Sequence, residues 1–109
     1  MPAITQDPRK LNKLKTKPVN TSNLNGESLN GILKRLRRIE GQVRGLQKMI
    51  AEGRPCEEVL TQMSATQRAM ESASALILQE FLTLCAAEIA KGDSKKPAQI
   101  AAVLRKFAK

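Results

Sequence analysis

The sequence predicts an all-α protein with three helices per chain, one of them very long. Three observations predict it. Ala, Leu, Lys, Arg, Glu and Gln dominate and β-branched runs are scarce, which is the composition of helix formers. Apolar residues recur at spacings of three and four along two long segments, the helical period. Gly53–Arg54–Pro55 and Gly92–Asp93–Ser94 punctuate the chain at two places where helices should stop. The length, 109 residues, fits one domain.

Residues 1–24 read as a flexible basic N-terminal tail. They carry Lys10, Lys13, Lys15 and Lys17, interspersed prolines, and the polar run Asn20–Thr21–Ser22–Asn23. Such a segment has too little apolar surface to order itself. Extra phosphate contacts and an inert extension are both open roles for it. Residues 25–109 are read as one helical domain.

The first helix is expected to start around Asn25–Ser28, capped by Asn25 or Ser28, and to end near Glu52. Gly53 and Pro55 stop it. Leu29, Ile32, Leu36, Ile39, Val43, Leu46 and Ile50 alternate by three and four, a heptad seam. Opposite them lie Lys34, Arg37, Arg38, Gly41, Arg44, Gly45 and Lys48. A glycine inside a helix costs about 1 kcal/mol against alanine. A solvated face accounts for the basic residues but not for the glycines; close approach by a phosphate or another helix accounts for both.

The second helix is expected from Pro55, a good first helical residue, to about Lys91. Cys56, Leu60, Met63, Gln67, Met70, Ser74, Ile77, Phe81, Leu84 and Glu88 follow one heptad face, with Cys85 on its border. Leu76, Leu78, Leu82 and Ile89 lie off it, and a helix apolar on several sides needs more than one neighbour. The third helix, about Pro97–Ala108, is short and carries Ile100, Val103, Leu104 and Phe107 on one face. One short closing helix cannot cover two heptad faces. An antiparallel four-helix-bundle dimer, paired again into a tetramer, is the expected solution.

Charge points to a partner. The net charge is +9. Residues 1–54 hold 12 Lys/Arg against 4 Asp/Glu, and residues 55–109 hold 7 against 6. A basic N-terminal half is the footprint of a polyanion, nucleic acid first. No stretch reaches the ~20 uninterrupted apolar residues of a membrane span, and MPAITQDPRK lacks the apolar core of a signal peptide. A cytoplasmic protein with no membrane partner is the expectation. Cysteines there are more often reactive or metal-binding than structural.

Cys56 and Cys85 are the two cysteines of the chain, 29 residues apart. In one unbroken helix they face the same side but stand about 43 Å apart along the axis. A disulfide needs Cα atoms within about 7 Å. The pair can meet across chains, if two copies of the helix run antiparallel about a two-fold near residues 70–71. Cys56 then faces Cys85 of the second copy.

The segments LKRLRRIEGQVRGLQKMI at 33–50, PCEEVLTQMSATQRAM at 55–70 and LTLC at 82–85 resemble the CsoR/RcnR family of bacterial repressors. The resemblance covers about residues 28–109. It implies an all-α, disc-like tetramer that binds operator DNA without a helix-turn-helix and releases it when an inducer acts on the sensor residues. Copper-sensing members use a Cys early in the second helix, a His four residues before a second Cys, and that Cys. The matching positions are Cys56, Phe81 and Cys85, and the chain has no His. No metal or other cofactor is therefore expected, unless two thiolates, Cys56 and Cys85, hold Cu(I) in linear fashion. The nickel and cobalt branch needs several His. The formaldehyde branch uses an N-terminal Pro and the first Cys; Pro2 and Cys56 are present, but those proteins lack the second Cys. The pattern left is similar to the persulfide-sensing, CstR-like branch, which keeps both cysteines and loses the His.

The resemblance thus implies a repressor of sulfide and sulfur-detoxification genes. Its inducer would be a low-molecular-weight persulfide or polysulfide, and its induced state an interchain Cys56–Cys85′ di-, tri- or tetrasulfide. The helix start and Arg54 favour Cys56 as the attacking sulfur, against Glu57 and Glu58. Cys85, among Leu82, Leu84, Ala86 and Ala87, is better placed to stay neutral and to resolve. Lys34, Arg35, Arg37, Arg38, Arg44 and Lys48 are the expected contacts to double-stranded operator DNA, with Arg68 weaker. An enzyme is not expected: the chain offers no His, no carboxylate pair in a defined environment and no phosphate-cradling loop.

Overall fold

The computed structural model describes residues 17–107. Among them are a 3-10 turn, Thr21–Asn23, and three α-helices: α1 (Gly26–Ala51), α2 (Cys56–Ala90) and α3 (Lys96–Phe107). No strand occurs among the described residues. The chain divides into two compact units, 25–79 and the described residues of 1–24 with 80–109. The long helix α2 runs through both without a break.

The boundaries follow from a few side chains and two glycines. Asn25 caps α1: its side chain accepts from the Glu27 N–H at 2.8 Å and the Ser28 N–H at 3.4 Å, a cap worth about 1 kcal/mol. At the other end Gly53 takes φ +70°. Its N–H donates to the Ile50 carbonyl and the Arg54 N–H to the Met49 carbonyl, the paired bonds of a Schellman stop. Helix α2 ends the same way. Gly92 takes φ +100°, its N–H donates to Ile89, and the Asp93 N–H donates to Glu88. Asp93 then starts α3, its carboxylate accepting from the Lys95 N–H at 3.0 Å.

In the first unit α1 and the N-terminal part of α2 form an antiparallel hairpin about the turn at 52–55. Ile32, Ile39, Leu46 and Ala73 are buried, and the Arg35 guanidinium donates to the Ser72 hydroxyl at 3.2 Å. Three of the seven residues of the α1 seam, Ile32, Ile39 and Leu46, are buried in this way. Val43 and Ile50 remain exposed, and so does the heptad face of α2, at Leu60, Met63, Met70 and Ile77. That face, read from the sequence as a packing seam, has no cover within the unit.

In the second unit the buried residues are Leu24, Cys85, Lys96 and Gln99. The apolar face expected on the third helix is only partly used, with Leu104 and Phe107 exposed. Of the segment read as a tail, residues 1–16, with Pro2, lie outside the described residues. Within 17–24 the 3-10 turn closes on Asn20, and Leu24 is buried. Its order comes from packing on the rest of the unit, not from its own composition.

Candidate functional site

Cys56 opens α2 directly after the stop that ends α1, and its thiol is exposed. Arg54, expected to act on it, instead pairs with Glu58 four residues on. Its positive charge is thereby shared with a carboxylate at the same helix start.

Cys85 has the opposite environment. Its relative exposure is 0%. Burial raises its pKa above the ordinary thiol value; Lys96 works against this, and Asp93 and Glu88 add to it. The neutral form expected from the flanking Leu and Ala residues is thus the one the fold favours. One turn earlier on α2, Phe81 is half-buried at the position where the resemblance would put a His. Among the described residues no three His, Cys, Asp or Glu side chains come together as a metal site. A three-donor centre within one chain does not fit these residues.

The group that sequence reasoning missed is buried in the same unit as Cys85. Lys96 is 1% exposed. Its Nζ donates to the Lys17 main-chain carbonyl at 2.6 Å and to Gln99 Oε1 at 2.9 Å, and stands 3.9 Å from Asp93 Oδ2. A buried lysine survives only with such partners. Periodicity carries no sign of it, because a lysine in a first helical turn reads as solvated; the Asp93–Lys96 spacing of three was the one local hint.

The basic stripe expected on the first helix is present on α1. Lys34, Arg35, Arg37, Arg38, Arg44 and Lys48 are all exposed. Arg35 is turned to Ser72, and Arg44 lies 3.5 Å from the Glu40 carboxylate. Arg68 donates to Ser64 on its own helix. Between the basic residues, a Cβ built on Gly45 meets nothing within 4 Å, and one on Gly41 reaches only Arg44 Nη2 at 4.0 Å. No part of the first unit needs these glycines small.

The described helices thus carry a basic face and two thiols in contrasting environments. The chain matches the family of metal-sensitive transcriptional repressors over residues 29–106, and it belongs to that family. It is 40% identical over 80 residues to the copper-sensing transcriptional repressor CsoR of Bacillus subtilis (strain 168), covering 72% of this chain and 79% of that one. It is 44% identical over 77 residues to the copper-sensing transcriptional repressor RicR of Mycobacterium tuberculosis, covering 66% and 80%. The structure is similar to that of the copper-sensing repressor CsoR with Cu(I) from Geobacillus thermodenitrificans. There the TM-score is 0.71 and the identity 34%, over 86% of this chain and 95% of that one. The nickel-responsive regulator InrS gives a TM-score of 0.68 at 34% identity, over 73% and 92%. By length and apolar composition α2 could also cross a bilayer; in a repressor family it is the core helix.

Proposed function

We propose that this repressor senses reactive sulfur species. Operator DNA of sulfide-detoxification genes is released when an inducer joins Cys56 of one chain to Cys85 of another. The observation that carries the reading is the set of residues at the sensor positions: two cysteines, with Phe81 in place of a nitrogen ligand. An unbroken α2 offers no turn that would fold one cysteine back onto the other, so the counterpart comes from a second chain. The uncovered heptad face of α2 gives that chain a place to pack, in a cytoplasmic antiparallel dimer and then a tetramer.

The chemistry follows from the two environments. The exposed Cys56 thiolate attacks the outer sulfur of an organic persulfide, RSSH. Cys56–SSH forms and RSH leaves. The Cys85 thiolate of the second chain then attacks the inner sulfur, giving a disulfide and releasing HS⁻. If both cysteines are persulfidated first, the same attack yields a trisulfide. The link fixes two long helices relative to each other. Lys34, Arg35, Arg37, Arg38, Arg44 and Lys48 on α1 then no longer match the phosphates they neutralise. A coupling of a few kcal/mol is enough for release.

A second reading is favoured by the relatives. Three of the proteins named above, the two CsoR repressors and RicR, are copper-sensing, and two thiolates from two chains can hold Cu(I) in a linear site. The residues speak against a copper centre with three donors, not against this one. The formaldehyde reading has less support, because Cys85 is retained.

Fluorescence anisotropy of the protein on a duplex selected by it in vitro separates these readings. An organic persulfide, added anaerobically, is expected to release the duplex, and Cu(I) is not. Intact mass spectrometry of the released protein should show a cross-linked dimer with increments of about 32 Da per added sulfur. Release by Cu(I) alone, with monomer mass unchanged under denaturing conditions, would establish the copper reading instead.

A further inference from the structure

Cys85 is the less accessible of the two thiols. Segment 17–24 enters its unit from the far end of the sequence, and it is fastened at two points. Leu24 is buried. At the other end, the Lys17 carbonyl accepts the 2.6 Å bond from buried Lys96, 79 residues further on. Lys96 is itself held by Gln99 and Asp93, and its charge works against the rise that burial imposes on the Cys85 pKa. A cleft of about 320 Å³ is lined by Pro18, Val19 and Asn23 of this segment together with Leu84, Glu88 and Lys96. Leu84 is the immediate neighbour of Cys85. A short, largely exposed segment held at its two ends and bordering a cleft is one that can open locally at low cost.

We propose that residues 17–24 form a latch over the buried thiol, fastened by Lys96, and that opening this latch admits the inducer to Cys85. The inference rests on Cys85 being a sensor residue, whichever inducer acts there. Linkage makes the effect reciprocal. If the closed latch excludes modification, a modified Cys85 must favour the open latch by the same factor. Segment 17–24 leads directly to the lysine-rich stretch that precedes it in the sequence.

The test needs neither DNA nor inducer, so its failure is distinguishable from failure of the persulfide reading. In a full-length Cys56→Ser background, the rate of alkylation of Cys85 by iodoacetamide is measured over a pH series. Its alkaline plateau reports access, separated from the thiolate fraction. Lys96→Met removes one fastening and Leu24→Ala weakens the other. Each should raise the plateau by about tenfold, the equilibrium worth of one charged hydrogen bond or buried contact. Circular dichroism at the same temperature should show both variants folded. Hydrogen exchange at the Asn23 and Leu24 amides, which are bonded to Asn20 and Thr21, should accelerate once Cys85 is alkylated. A plateau at the parental value in either folded variant, or exchange unchanged by alkylation, overturns the latch.

Discussion

At the residue scale, the two thiols differ because of what surrounds them, and the difference has a measurable pH signature. Cys85 is wholly buried, which lifts its pKa above the ordinary value of 9.0. A raised folded-state pKa means that the fold favours the protonated thiol. The stability this contributes is complete below the unfolded pKa and is lost as the pH rises through the folded one. Thermal unfolding followed from about pH 7 to about pH 10.5 should therefore show a Tm that falls on the alkaline side of the thiol range. In Cys85→Ala the alkaline fall should be shallower, whatever the new baseline. Parallel curves for the two proteins would remove burial as the cause. Lys96 belongs to the same scale. Its three oxygen partners come from the main chain of Lys17, from Gln99 and from Asp93. No sequence pattern short of the fold brings residue 17 to residue 96.

Among the elements, α1 shows what was legible and what was not. Its start at Asn25 and its stop at Gly53 could be read in advance, because a cap and a left-handed glycine act through neighbours in the sequence. The end of α2 at Gly92 was legible for the same reason. Which apolar face packs inside the chain was not. The period of α2 marks Leu60, Met63, Met70 and Ile77 as a seam, yet these are exposed, while Ala73, off that seam, is the residue that α2 buries in the first unit. A heptad pattern says that a face wants a neighbour; it does not say whether the neighbour is the same chain. The site divides likewise. Both cysteines and the basic stripe were visible as residue types at a spacing, and the Lys96 cluster was not. The α1 glycines were also visible, and the structure sharpens their meaning. Nothing in the first unit approaches Gly45 within 4 Å of an added Cβ. Gly45→Ala should therefore raise the stability of the fold by about 1 kcal/mol, the helix propensity difference, read as a higher denaturation midpoint in urea. The same variant should bind the selected duplex more weakly if a phosphate backbone is what comes close. A stability that falls would show that another helix, in the assembly, fills the space.

For the molecule as a whole, the exposed apolar residues of the first unit bear on the state of assembly, and that can be tested. Val43 and Ile50 on α1 and Leu60, Met63, Met70 and Ile77 on α2 are all exposed. Leu60 alone is 63% exposed. Monomers rarely leave such a contiguous patch in water, and a second copy of the same stripe would cover it. Met63→Glu with Met70→Glu places like charges where two copies would meet. The double variant should keep its helicity, since both side chains already face solvent, and should elute as a smaller species in size-exclusion chromatography with light scattering. The basic residues of α1 are untouched, so DNA affinity then reports assembly alone. The slope of log K against log salt counts phosphates neutralised, at about −0.9 for each. Splitting the assembly should lower that slope to about half, because each lost copy removes its own α1 from the duplex. An unchanged mass, or a smaller species that retains the full salt slope, would separate DNA binding from self-association and leave the stripe for another partner.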